Sequence, residues 1–145
     1  MANYNCAIRT NYFNVKNAEA FEAFMSRVYG SEESVEVWSK TDEDGRTKYA
    51  FGCYGGIAGL CDVDEDPDEI DDSAYDAFIN GLQEHVAEND AVIIFEVGNE
   101  NLRYVVGSAE IITSNDCKYI SIQDLATKQT AEMLQNPEWK TQCDW

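Results

Sequence analysis

Between Lys48 and Arg103 there is not one lysine or arginine. Those 54 residues carry 14 carboxylates, half of the chain's 28, while the other 91 residues hold the remaining 14 and all ten bases. Binding to a polynucleotide needs a basic patch or stripe, so direct nucleic-acid recognition is the function this sequence excludes most firmly. Histidine is nearly absent. His85 stands alone, which leaves no multi-histidine metal site, and no G-x-S-x-G elbow marks a nucleophilic serine. Only two prolines occur, Pro67 and Pro137. With no repeat and no proline-rich linker, the 145 residues read as a single acidic α+β domain, 1–145. No apolar run approaches the ~18 residues of a membrane span. The opening residues Met1 to Asn5 lack the basic and apolar regions of a secretion signal, so a cytoplasmic protein is expected. The five cysteines are odd in number and scattered, with no C-x-x-C pair. They read mostly as small buried residues in a reducing compartment, with Cys143, near the end of the sequence, as the candidate for exposure.

What the chain has is apolar material and acid. Hydrophobic residues make up 44% and aromatics 12%, too much for a disordered acidic tail. Residues 6–15 are rich in β-formers and predict a first strand. Asn17 is placed to cap a helix over about 18–29, with Phe21, Phe24, Met25 and Val28 at helical spacing and Gly30 as its stop. Two alternating runs around Val35–Trp38 and Tyr49–Cys53 flank Asp44-Gly45, a dipeptide suited to a hairpin turn with two positive-φ residues. Four glycines within 52–59 predict a tight bend. A second helix is expected over about 73–88 on Tyr75, Phe78, Ile79, Leu82 and Val86. The segment Ala91–Val97 is apolar on both faces, as a central strand would be. A strand Leu102–Thr113, with a bulge at Gly107, and a strand Cys117–Ile122 follow. A third helix, about 122–135, is capped by Ser121 and carries Leu125, Ala126, Met133 and Leu134. The order is β-α-β-β-(acidic loop)-α-β-β-β-α. This predicts an α+β fold: a mainly antiparallel sheet of about five to six strands with three helices packed on one face.

The acidic loop is the candidate site. It reads Asp62-Val63-Asp64-Glu65-Asp66-Pro67-Asp68-Glu69-Ile70-Asp71-Asp72. In an extended conformation alternate residues lie roughly 6.6–6.8 Å apart on one side. A row of carboxylates so spaced can stand in for phosphates before a basic groove. The residues expected to meet such a partner are Asp62, Asp64, Glu65, Asp66, Asp68, Glu69, Asp71, Asp72, Asp76, Glu84 and Glu88. Calcium is the alternative for the same residues. Asp62, Asp64 and Asp66 fit positions 1, 3 and 5 of an EF-hand loop, but Pro67 takes the glycine position and Ser73 the glutamate position. No catalytic residue, no defined metal ligand and no cofactor is predicted. His85, beside core-phase Val86, reads as structural.

In size, charge and the run Asp62 to Asp76, the chain resembles the small acidic proteins of phages and mobile elements that act as nucleic-acid mimics, the anti-restriction and anti-CRISPR inhibitors. Acidic immunity proteins that cap basic nuclease toxins share this physical type. The resemblance implies a non-enzymatic DNA mimic. It would inhibit a basic nucleic-acid-binding protein, a nuclease or other defence enzyme, in the cytoplasm of a host cell.

Overall fold

The computed structural model describes residues 4–61 and 73–141. Along them run β1 (Tyr4–Thr10), α1 (Ala18–Met25), β2 (Val28–Gly30), β3 (Glu36–Thr41), β4 (Thr47–Tyr54) and β5 (Ile57–Leu60). Then come α2 (Ser73–His85), β6 (Val92–Glu100), β7 (Tyr104–Ile112), β8 (Cys117–Ser121) and α3 (Ile122–Met133). Six strands form one antiparallel sheet in the order β3-β4-β1-β6-β7-β8, and β2 pairs with β5 in a small second sheet. The class is α+β, as expected.

Helices α1 and α2 lie on one face of the large sheet and bury its aromatic core. Phe13, Phe21, Phe51 and Phe78 are fully enclosed. Phe13 meets Phe21 edge-on at 5.5 Å and Phe51 at 6.1 Å, and Phe51 meets Phe78 edge-on at 6.0 Å. That geometry places the positive edge of each ring against the negative face of the next. Asn17 caps α1 through a 2.9 Å bond from the Ala20 amide. The helix stops at Met25, short of residue 29, because Val28–Gly30 pairs with β5 instead. Gly30 is therefore a strand residue and not a helix stop. The glycine-rich segment is likewise no simple bend: its second half is β5. Gly59, at φ +140°, lets that strand run against the backbone of Ala74, where any Cβ would collide.

Three further expectations change. The Asp44-Gly45 turn has a positive φ only at Gly45; the Asp42 carboxylate organises it by accepting the Asp44 and Arg46 amides at 3.1 and 3.0 Å. The β6–β7 ladder runs without a register shift through Val97 and Gly107, so there is no bulge. A Cβ at Gly107 would come within 3.2 Å of the Ile122 side chain, and close approach is what glycine serves there. Finally, the helices do not share one face. Gly107 pairs with the exposed Val97, so Ile122 and α3 lie on the side opposite α1 and α2. No residue of α3 is buried.

Candidate functional site

The acidic run itself, Asp62 to Asp72, lies outside the described residues, and so does the calcium-like spacing of Asp62, Asp64 and Asp66. Of the eleven carboxylates expected at a partner surface, Asp76, Glu84 and Glu88 are described, and each is exposed. Asp76 and Glu84 are two turns apart on the solvent side of α2, about 12 Å by helical rise. That exceeds the ~8 Å Debye length at physiological salt, so these two do not compose a dense patch. Among the described residues, no group of three or more histidine, cysteine, aspartate or glutamate side chains could hold a metal ion, and no helix is long and apolar enough to cross a membrane.

Two other carboxylates come together. Directly paired residues on antiparallel strands point to the same side. The register Ile8–Glu96–Ser108 and the next row, Ile94–Glu110–Tyr119, therefore place Glu96 and Glu110 diagonally on adjacent strands, on the face that carries the core. Both face a cavity of about 240 Å3 beyond the N-terminal end of α2, walled also by Gly56 and Ile57 at the start of β5. Among its described lining residues there is no lysine or arginine.

Each carboxylate is held by a tyrosine. The Tyr4 hydroxyl donates to Glu96 Oε2 at 2.8 Å, and the Tyr75 hydroxyl to Glu110 Oε2 at 2.7 Å. Burial raises both phenols above the ordinary tyrosine range, and the bonded glutamates add to it. These hydroxyls stay protonated and remain donors. The Cys117 thiol donates weakly to Glu110 Oε1 at 3.6 Å. Burial first, then neighbouring carboxylates, raises Cys6 and Cys117; burial, Cys6 and Glu33 raise Cys53. Thiolate is disfavoured at all three, so none has the character of a nucleophile. Such a cleft can hold a positive charge between two oxygen acceptors and aromatic walls; it repels anions.

His85 is not part of this cleft. It sits ten residues further along α2 and packs against Phe24 at 4.9 Å and Phe21 at 6.4 Å. Burial lowers its pKa; Glu84 works against that, and Lys16 and Arg27 add to it. The structural role expected for this residue fits its place.

Glu96 and Glu110 were missed as a site in the sequence, yet a signal exists. Each falls in the inward phase of an apolar strand, Glu96 with Val92 and Ile94, and Glu110 with Ile112. A carboxylate in core phase is an anomaly worth following.

No family model and no curated protein matches the chain. One solved structure to which it is similar is "LarC2, the C-terminal domain of a cyclometallase involved in the synthesis of the NPN cofactor of lactate racemase, apo form". The match covers 94% of this chain and 90% of that one, at 13% identity and a TM-score of 0.33. That likeness transfers no activity. The expectation of a non-enzymatic DNA-mimic inhibitor, with its anti-CRISPR, anti-restriction and immunity-protein variants, is corrected: the comparisons returned no such inhibitor, and Asp76 and Glu84, described carboxylates expected at its partner surface, do not gather into a dense patch. The physical reason is that net charge does not make a site: it reports solubility and association, not fold or chemistry.

Proposed function

We propose that this chain binds a small organic cation, an amine or quaternary ammonium, in the cleft between Glu96 and Glu110. One observation carries the reading: two carboxylates from adjacent strands, each already bonded to a tyrosine hydroxyl, face one cavity whose described lining holds no basic residue. Glu96 keeps its Oε1 for an ammonium, and Glu110 Oε1, which takes only the weak Cys117 thiol bond, has a further lone pair to offer. Tyr75 and Tyr119 supply ring faces on which a cation is stabilised. At about 240 Å3 the cavity is smaller than pockets for drug-sized ligands, roughly 300–1,000 Å3, so the fit is to a compact amine.

The test is calorimetric titration with monovalent probes, choline and a short alkylamine, beside a carboxylate of equal size. One-to-one binding of the cations is expected. Glu110→Gln should weaken the alkylamine about tenfold or more, since a charge-assisted hydrogen bond is worth about 1.5–3 kcal/mol, and should weaken choline, which has no N–H to donate, less. The carboxylate should give no heat. Binding that persists in the Glu96→Gln, Glu110→Gln double variant, or no cation binding at millimolar concentration, would remove the proposal.

A further inference from the structure

The side of the sheet away from the cleft is covered only in part, by α3; its outward acid, Glu36, lies on the edge strand β3, and over the other strands charge is sorted. On β1, β6, β7 and β8 every carboxylate, namely Glu96, Glu100 and Glu110, is in phase with the core-facing row. The charged residues in the outward phase of these four strands are both basic: Arg9, opposite Phe95, and Lys118, opposite Ile111. Between them lies an apolar groove of about 250 Å3 walled by Phe95, Val97, Ile120, Ile122 and Leu125. It continues along α3, where Ile122, Leu125, Ala126, Gln129 and Met133 fall within one narrow stripe at 100° per residue. Ile122 is 61% exposed, Leu125 45% and Met133 82%.

We propose that this surface is a two-fold interface between two copies of this chain, the α3 stripe of each laid across β6 and β7 of the other. Three physical arguments select a second copy. First, α3 has 12 residues and none buried. A helix that short is marginal in water on its own. Within the protomer it is held by the Ser121 cap, a Gln123–Val105 carbonyl bond and the close approach of Ile122 to Gly107. Much of its apolar stripe stays exposed. Second, if a free side chain of this size offers about 150–200 Å2, the stripe with Phe95, Val97 and Val105 exposes on the order of 600 Å2. That is the upper end for a monomer and most of the ~800 Å2 each partner gives to a stable interface. Third, two bodies of charge −18 repel almost everywhere. A surface whose strands β1, β6, β7 and β8 point no acid outward is where like copies can approach. A two-fold axis makes such a patch self-complementary and closed.

The test is sedimentation velocity on the full chain from about 1 to 100 µM. The expected species has twice the 16.3 kDa protomer mass. Leu125→Glu and Val97→Glu should each raise the dissociation constant at least tenfold, while far-UV circular dichroism shows that the core stays folded. Raising salt from about 50 to 500 mM should tighten the wild-type dimer, because screening removes repulsion between like bodies. A 16.3 kDa species at the highest concentration would overturn the proposal, whatever other molecule is found on this face. So would a dimer that both glutamate variants leave intact.

Discussion

The two sides of strand β6 are almost equally apolar and meet opposite fates. Val92 and Ile94 point toward α1 and α2 and are under a tenth exposed; Phe95 and Val97 point the other way and are 49% and 62% exposed. The pattern of a strand says which faces are fit for burial. It does not say whether the same chain supplies the cover. One side is closed by α2, which puts Phe78 and Leu82 into the core; the other meets α3, none of whose own residues is buried and beside which Ala109 is the buried residue of the outward row.

The comparison is broken most directly by truncating rings on each side. Phe51→Ala or Phe78→Ala should cost about 3–5 kcal/mol in urea unfolding. Phe95→Ala should cost under about 1 kcal/mol in dilute protomer, with a deficit that grows with protein concentration as association is lost. Equal costs at high dilution would erase the distinction between the faces. Gly81→Ala sharpens the covered side. The added methyl collides with the Phe24 ring, and overpacking of this kind costs about 1–3 kcal/mol. Caps probe the helices themselves. Asn17→Ala should lower global stability by about 1 kcal/mol. Ser121→Ala should instead speed hydrogen exchange within α3 and leave the global midpoint nearly unchanged, because little of the core depends on that helix.

The smallest effect is in pH. Burial lowers the His85 pKa below 6.5, so the unfolded chain takes up that proton first. Its contribution is fully present above pH 6.5 and declines as pH falls from there toward the folded value. Loss of negative self-repulsion acts in the opposite direction, so the useful quantity is a difference. Wild type minus His85→Gln should fall through this window, and a flat difference would place His85 in water.

Local chemistry was legible where it decided structure. Asn17 and Ser121 cap the helices expected of them, and the inward residues Phe21, Phe24, Met25, Phe78, Leu82 and Val86 form the core. Strands β2 and β5 were not legible. They are short, and their pairing, Val28 with Leu60, is made across the chain, so neither has a periodicity of its own. The apolar residues of α3 are legible in the sequence but the side of the sheet they lie on is not, because amphipathicity records a need for cover without naming its source. The cleft was hidden differently. Glu96 and Glu110 are 14 positions apart, and only the β6–β7 register brings them side by side. The densest run of acid in the sequence holds neither of them.

Strand β1 lies between β4 and β6, and its outer partner arrives late: Ala7 pairs with Val97, 90 positions on. At 5–20 residues per second a ribosome needs roughly 5–20 s to make that stretch. Through the interval the nascent sheet offers β1 as a bare edge, the kind of template on which unfinished chains aggregate. Most of the carboxylates between Lys48 and Arg103 are made in that same interval. Like charges on such chains oppose their association at that edge, and the edge itself closes when the last residue of β6 is in place.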